Sequence, residues 1–293
     1  MNKSKVYFTK KITPEMVIKI YEAVDKKLTG KIAVKVHSGE KGNQNYLRPE
    51  FLKPMIDYVG GTVVECNTAY SGARNSTDKH QKLMAEHGWS TLFDVDIMDS
   101  NGPDLTLKIP NGKTITENYV GKNITNYDSL LVLSHFKGHP MGGYGGALKQ
   151  LSIGCASTRG KCWIHSAGAT DNQKIVWGKT AEQDKFLEAM AEAAKSVIDF
   201  FDGNIVYINL MCNLSVDCDC CAVAEDPCMK DIGILASTDP VALDKACLDL
   251  IYASTDKGRD HFLKRVESRH GGHTIDHAEI VGCGNKSYEI INI

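Results

Sequence analysis

Five of the ten cysteines fall within 17 residues, in the segment CNLSVDCDCCAVAEDPC. They are Cys212, Cys218, Cys220, Cys221 and Cys228. Thiolates are soft ligands that select zinc, copper(I) or iron–sulfur clusters, and a loop can aim several of them at one point. The acidic residues among them disfavour thiolates until a cation binds. The segment therefore predicts a metal site in preference to a nucleophilic cysteine.

The spacing of these cysteines leaves the identity of the metal open. It departs from the Cys-x2-Cys runs of zinc fingers and ferredoxins, so both an iron–sulfur cluster and zinc remain candidates. Two other interpretations stand beside the metal site. The thiols could be small buried hydrophobes, or two of them could form a redox-active disulfide, although no thioredoxin-like Cys-x-x-Cys is present.

A glycine-rich segment, SHFKGHPMGGYGGALKQ at residues 134–150, follows an apolar run and carries histidine and lysine. Glycines beyond the carboxyl end of a strand let the backbone approach a phosphate or another anion. His139 is a candidate general acid or base near neutral pH, and Lys149 could fix an anion or bind a cofactor covalently. The candidate cofactor-binding glycines are Gly142, Gly143, Gly145 and Gly146.

Neither of two common nucleotide motifs is present in this glycine-rich segment. It lacks the Gly-Lys-Ser or Gly-Lys-Thr of a P-loop and the G-x-G-x-x-G spacing of a dinucleotide fold. The alternative interpretation is a tight turn in which the glycines serve geometry and the histidine bonds to the backbone. Together, the glycines, histidines and lysines favour a small anionic ligand.

The elements that must position these segments alternate along the chain. Apolar runs at 32–36, 62–66, 93–98, 129–136, 204–211 and 232–236 predict strands, and helical patterns cover 13–28, 49–59, 76–87 and 181–201. A hairpin is expected to turn at Asn111-Gly112, and Asp239-Pro240 is expected to start a helix. Strands spaced by helices predict an α/β fold with mostly parallel sheets. We expect two α/β lobes, residues 1–125 and 126–293, with a ligand cleft between them.

Composition excludes several function classes. A net charge of −2, from 34 basic and 36 acidic residues, lacks the positive surplus that nucleic-acid binding requires. No secretion signal or apolar run of about 18 residues occurs, so we expect a cytoplasmic protein without membrane spans. Thiols stay reduced in the cytosol, and clustered cysteines there usually indicate metal or catalysis. The oligomeric state is not indicated.

Three segments carry a resemblance to a known family: NTAYSGARNSTDKHQKLMAEHG at 67–88, SHFKGHPMGGYGGALKQLSIGCASTRGK at 134–161, and CDCC followed by DIGILASTDPVALDKA. Over nearly its whole length the chain resembles domain of unknown function 362, whose members are labelled iron–sulfur centre proteins. Many members carry a ferredoxin-type insertion with Cys-x2-Cys-x2-Cys runs after KCWIHSAG. Here GATDNQKIVWGKTAEQ fills that place without cysteine, which leaves the CDCC segment to supply the ligands, and whether Cys155 is a further ligand stays open.

A fainter resemblance connects the same glycine-rich region to the nickel-pincer lactate racemases. The order of His139, the four glycines, Lys149 and His165 is similar to theirs. The resemblance implies that Lys149 holds the pincer cofactor and that His165 ligates nickel. Where the racemases have a second catalytic histidine, the loop SGAR offers Arg74.

Three functions follow from these observations. The first is a redox enzyme in which the clustered cysteines hold an iron–sulfur cluster, with a small anionic ligand and an electron-transfer partner. The second is a racemase-like or isomerase-like enzyme that works through His139, Lys149, Arg74 and His165. The third is a zinc-stabilised scaffold without catalysis. In each case we expect Lys149 and Cys220 to face one cleft, because both loops follow predicted strands.

Overall fold

A mixed sheet of eight strands forms the centre of the protein. The computed structural model describes residues 3–293. The strands in that part of the chain are β1 (Ser4–Thr9), β2 (Ile32–Lys35), β3 (Thr62–Glu65), β4 (Val95–Ile97), β5 (Leu105–Lys108), β6 (Glu117–Val120), β7 (Ser129–His135), β8 (Lys137–His139), β9 (Gly143–Gly145), β10 (Ile205–Met211), β11 (Gly233–Ser237) and β12 (Tyr288–Asn292). The central sheet has the order β12-β1-β11-β10-β7-β2-β3-β4, and β5-β6 and β8-β9 form two small hairpins.

Helices cover both faces of this sheet. They are α1 (Pro14–Ala23), α2 (Pro49–Val59), α3 (Thr77–Glu86), α4 (Trp89–Leu92), α5 (Ala147–Lys149), α6 (Thr158–His165), α7 (Gln183–Phe200), α8 (Pro240–Tyr252), α9 (Arg259–Ser268) and α10 (Gly272–Ile280). After α5 the chain continues as a π-helical turn over Gln150–Gly154. Short 3-10 turns occur at Lys122–Asn126 and Val176–Gly178.

Five neighbouring strands, β10, β7, β2, β3 and β4, run parallel, and β11 runs antiparallel to both of its neighbours. A parallel return needs a long crossover, usually a helix. Residues 212–232 connect β10 to β11 without any helix in the described chain, which explains the reversed direction. The α/β class and the mostly parallel sheet are therefore confirmed.

The two predicted lobes contribute to the same sheet. Strand β2, from the first half, pairs with β7 from the second, and β1 pairs with β11 and β12. The division at residues 125 and 126 stays a prediction. Because β2, β3, β7 and β10 are parallel, their carboxyl ends lie at one edge of the sheet, where open α/β proteins place their ligands.

Alternating side chains of the central strands bury both faces of the sheet. Along β7, Leu130 and Val132 join the core beneath α7 and α8, whereas Leu131 and Leu133 join the core beneath α1 and α2. Burial on both faces explains why β7 is apolar almost throughout. No helix within residues 3–293 combines the length and the apolar character needed to cross a membrane.

Most predicted elements are confirmed, with shifted ends. Helix α2 has the predicted bounds, and α8 begins as expected, because the Asp239 side chain accepts hydrogen bonds from Val241 N and Ala242 N. Helix α1 ends at Ala23, before the predicted Leu28, because Asp25 adopts a left-handed backbone (φ 53°). Strands β1 and β12 and helix α6 were not predicted.

Candidate functional site

Two cysteines of the loop after β10 meet a histidine that follows β7. Cys218 Sγ, Cys220 Sγ and His139 Nε2 all lie within 4.8 Å of one another. A tight turn brings the two thiols together, because Cys221 N donates to Cys218 O and Cys220 N donates to Cys218 Sγ. Among residues 3–293, this is the one group of three or more histidine, cysteine, aspartate or glutamate side chains that could hold a metal ion.

The aspartate between these cysteines anchors the turn to the end of β7. Asp219 accepts a hydrogen bond from Lys137 Nζ at 2.8 Å and contacts His135 Nδ1 at 2.9 Å, and its side chain is 1 % exposed. Burial raises the pKa of Asp219, but the charges of His135 and Lys137 outweigh burial and hold that pKa below its ordinary value. An ionised Asp219 thus ties the cysteine turn to the strand that carries His139.

The other candidate thiols lie outside this group. Cys212 packs in the apolar core beneath α1 and α2, and Cys228 donates to Leu214 O. Cys221 lies beside Cys220, and the hydrogen bond from Cys220 lowers its pKa. Cys155 is fully buried, and burial raises its pKa to about 11. A cluster with four cysteine ligands would therefore need thiols that this arrangement does not bring together.

The surroundings of His139 determine which ring nitrogen carries its proton. Nδ1 accepts the backbone N–H groups of Met141 at 3.1 Å and Gly142 at 2.8 Å. Burial, followed by the charge of Lys149, lowers the pKa of His139 to about 4, so the ring is neutral at pH 7. A neutral ring that accepts at Nδ1 carries its proton on Nε2, the nitrogen facing the thiols.

This tautomer bears on the fit of a metal ion. A metal-ligating histidine usually donates its other N–H to an acceptor, whereas His139 Nδ1 meets two donors. The thiols of Cys218 and Cys220 fit a soft ion directly. His139 fits better as a hydrogen-bond donor to the thiolates than as a third ligand.

A cavity of about 210 Å³ opens beside this group at the carboxyl edge of the sheet. Its wall includes all four side chains of the racemase-like hypothesis together with one thiol of the cysteine segment: Arg74, His139, Lys149, His165 and Cys220. Lys149 and Cys220, predicted to face one cleft, thus line one cavity. Sequence reasoning did not single out other members of the wall, among them Lys35, Glu65, Lys161 and Trp177.

A buried ion network forms part of the cavity wall. Lys35 Nζ contacts Glu65 Oε2 at 2.6 Å, and Arg74 contacts Glu65 Oε1 and Glu40 Oε2, each at 3.4 Å. Arg74 also donates to Tyr70 Oη at 2.7 Å. Arg74 is therefore already neutralised by carboxylates of the protein itself.

Two lysines of the wall have no carboxylate partner. Neither Lys149 nor Lys161 forms an ion pair within 4.0 Å anywhere in residues 3–293, and Lys161 Nζ donates to Ala156 O. Lys161 is 6 % exposed, and burial lowers its pKa. A buried ammonium without an ion-pair partner is unfavourable, so an anion in the cavity would stabilise the buried Lys161 and would also attract the half-buried Lys149.

His165 presents a different hydrogen-bonding group from His139. Its Nδ1 lies 2.7 Å from Lys161 O, so the neutral ring donates there and keeps a lone pair on Nε2. Burial is the main cause that lowers the pKa of His165 to about 4. The ring stacks on Phe186 and meets the edge of Trp177. Of the three histidines in the cavity wall, His139 thus offers an N–H and His165 offers a lone pair, and both of these rings are neutral at pH 7.

The four glycines serve the packing of the protein itself. None of Gly142, Gly143, Gly145 and Gly146 lines the cavity. A Cβ on Gly146 would lie 2.5 Å from Asp244 Oδ1, and one on Gly143 would lie 2.9 Å from Gly271 Cα. Gly142 N donates to His139 Nδ1. These glycines let the loop pack closely and orient His139, while their role in binding a cofactor stays a prediction.

The chain belongs to the DUF362 family, because the family model described as a domain of unknown function (DUF362) matches residues 32–249. No curated protein matches it. One similar solved structure is the lactate racemase apoprotein of Thermoanaerobacterium thermosaccharolyticum, with 13% identity, a TM-score of 0.47 and coverage of 85% of this chain and 57% of that one. Another is a structural-genomics protein of Thermotoga maritima, with 10% identity, a TM-score of 0.38 and coverage of 93% and 60%. The chain thus spans 57% and 60% of the lengths of these two proteins.

Proposed function

We propose that this member of the DUF362 family is a metal–thiolate enzyme that acts on a small anionic ligand. One observation carries the proposal: the paired thiols of Cys218 and Cys220 adjoin a cavity whose wall contains two lysines without carboxylate partners. Soft thiolates attract a metal ion, and ammonium groups without an ion-pair partner attract an anion. Their proximity would place the ion beside the ligand.

The proposed metal ligands are the thiolates of Cys218 and Cys220, with the N–H of His139 directed at them. Two protein ligands leave coordination positions for a substrate atom. An ion of a redox-active element would supply electron transfer there, whereas zinc would polarise a substrate oxygen. A redox role, with an electron-transfer partner, would therefore require an ion of a redox-active element.

The roles proposed for the other residues follow from their hydrogen-bonding groups. Lys149 and Lys161 would bind the oxyanion of the ligand, and His165 Nε2 is free to accept a proton. A cavity of about 210 Å³ is smaller than the roughly 300–1,000 Å³ of drug-sized ligand sites. This volume favours a compact organic anion over a dinucleotide.

Metal content tests the proposed ligands. Cys218→Ser and Cys220→Ser should each reduce metal per chain by tenfold or more, because a hydroxyl is a poor ligand for a soft ion. Cys228→Ser, which changes a thiol that donates to Leu214 O, should retain the wild-type content. The measurement is elemental analysis for iron, nickel and zinc, with a visible spectrum, on protein purified without oxygen. Wild-type protein without metal after reconstitution with each ion would refute the metal assignment.

Anion binding tests the lysines separately from the metal. Lys149→Ala should weaken the binding of a small carboxylate about tenfold, since it removes one of the two unpaired charges, and should leave metal content near wild type. Lys179→Ala, in a lysine that does not line the cavity, is the matched control. Isothermal titration calorimetry gives the affinities. Equal binding by wild type and Lys149→Ala would remove Lys149 from the proposed site.

A racemase-like or isomerase-like function is the second candidate. The observation in its favour is the pair of neutral histidines in one cavity wall, of which one offers an N–H and the other a lone pair. His165 Nε2 could take a proton from a substrate carbon and become imidazolium, while the His139 Nε2–H would donate a hydrogen bond to a substrate oxygen; return of the same proton from His165 would complete an isomerisation. Intact mass spectrometry separates the candidates, because a pincer cofactor bound covalently would add mass at Lys149. Stoichiometric zinc without turnover would instead support the scaffold.

A further inference from the structure

The cavity wall changes character from its interior to its opening. Its buried charged members are Lys35 at 0 %, Arg74 and Glu65 at 3 % each and Lys161 at 6 % exposure, so three cations accompany one carboxylate. The members nearer to solvent include four large apolar residues, since Pro140, Met141 and Ile153 are partly buried and Trp177 is 44 % exposed, and Lys149 is also partly buried. The cavity therefore has a net positive charge in its interior and a partly apolar rim.

Trp177 is the most distinctive residue of this rim. It lies on the 3-10 turn Val176–Gly178, and its ring meets His165 edge-on, with centroids 5.3 Å apart. Ile175, two residues earlier, is also 44 % exposed. Trp177 thus exposes a large apolar surface where it lines the cavity, which is typical of a site that binds an apolar group.

We propose that the ligand is an amphipathic oxyanion, with a carboxylate or phosphate head inside the cavity and a short apolar group on the rim. The head would face Lys149 and Lys161, where positive charge lacks a partner, and the apolar group would pack on Trp177 and Met141. This inference rests on the proposed function in one respect, that the cavity binds a small anion. It adds the chemical class of the remainder of the ligand.

The apolar group contributes to affinity by leaving water. Each buried methylene contributes about 0.8 kcal/mol, which corresponds to roughly fourfold in affinity. A ligand with two methylenes on the rim should therefore bind more than tenfold more tightly than its truncated analogue. The small cavity limits the group to a short chain or a single ring.

A series of simple ligands tests the proposal by calorimetry with the full chain. The probes are acetate, butyrate, hexanoate, hexyl phosphate and hexanol. We expect affinity to rise by tenfold or more from acetate to hexanoate, and hexanol, which lacks the charge, to bind at least tenfold more weakly than hexanoate. Whichever of hexanoate and hexyl phosphate binds more tightly identifies the head group.

Variants separate the two parts of the ligand. Trp177→Ala should abolish most of the gain from acetate to hexanoate while it leaves acetate affinity within about twofold. Lys161→Gln should weaken every anion in the series by a similar factor. Ile280→Ala, an exposed apolar residue on α10, is the matched control and should change neither property. Circular dichroism confirms that each variant is folded.

The outcomes distinguish this inference from the proposed function. Equal affinity for acetate and hexanoate would overturn the amphipathic ligand and leave anion binding in place. The amphipathic ligand would also be overturned if Trp177→Ala kept the full gain in affinity from acetate to hexanoate. Failure of every anion to bind the wild-type protein would refute the proposed function itself, and with it this inference.

Discussion

Replacing Glu65 with leucine should lower the free energy of unfolding by about 3–5 kcal/mol, because two buried cations would lose their shared carboxylate. The side chains of Lys35 and Glu65 are 0 % and 4 % exposed and lie 2.6 Å apart. Arg74 keeps Glu40 as a partner after the change, whereas Lys35 keeps only the oxygens of Val36 and Gln150. The uncompensated Lys35 ammonium is therefore the main cause of the expected loss.

A double variant tests this explanation. Lys35→Met combined with Glu65→Leu should be at least 1 kcal/mol more stable than Glu65→Leu alone, because no unpaired ammonium remains at position 35. The surface pair Lys53–Asp57 is the control, and Asp57→Ala should change stability by less than about 1 kcal/mol. Urea denaturation at pH 7 gives the three values. A double variant less stable than the single variant would contradict the role assigned to Lys35.

The same network predicts a loss of stability in acid. Although burial raises the pKa of Glu65, the charges of Lys35 and Arg74 outweigh burial and lower it from 4.5 to about 2. A depressed folded-state pKa contributes stability that is present above pH 4.5 and is lost as pH falls towards 2. Relative to the double variant, the wild type should lose on the order of 3 kcal/mol across this window. A constant difference from pH 5 to pH 2 would contradict the low pKa.

The sequence was enough to predict that the glycine-rich segment and the cysteine segment lie at the same edge of the sheet. Apolar runs at 129–136 and 204–211 predicted strands, and they form the parallel neighbours β7 and β10. Parallel neighbours end at the same edge, so Lys149 and Cys220 were expected near one another. That inference needed only strand direction, which helical crossovers largely determine.

The sequence alone did not predict which side chains lie together at this edge. Lys35 and Glu65 are charged residues within the apolar runs IAVKV and TVVEC, and this pattern was the one available signal of their burial. Cysteine density could not separate Cys218 and Cys220 from Cys212 and Cys228, because the direction of each thiol depends on backbone turns. The tautomer of His139 depends on two backbone N–H groups that reach it only in the folded chain.

The glycine-rich segment illustrates why a motif can have two interpretations. Glycines that let a backbone approach an anion also let it approach a carboxylate of the protein itself. Asp244 of α8 takes this place, since Ala147 N and Leu148 N donate to it at 2.8 and 3.0 Å. The turn that precedes Lys149 is therefore held by a carboxylate from a helix about 100 residues further along the chain.

Replacing Asp244 with alanine should lower the free energy of unfolding by on the order of 4 kcal/mol and should also weaken anion binding. The side chain is fully buried and accepts from Asn209 Nδ2 at 2.7 Å as well as from the two backbone groups. Each buried donor left without an acceptor costs about 1–3 kcal/mol. Because Lys149 directly follows these donors, a looser turn should reduce carboxylate affinity severalfold even where the protein remains folded.

The measurement is urea denaturation at pH 8, because burial raises the pKa of Asp244 to about 6 and the carboxylate is ionised there. Asp260, which is exposed on α9, is the matched control, and Asp260→Ala should change stability by less than about 1 kcal/mol. Asp244→Asn should recover only part of the loss, since its amide nitrogen would face donors. A variant that loses stability but binds carboxylates like the wild type would show that Asp244 stabilises the fold without positioning Lys149.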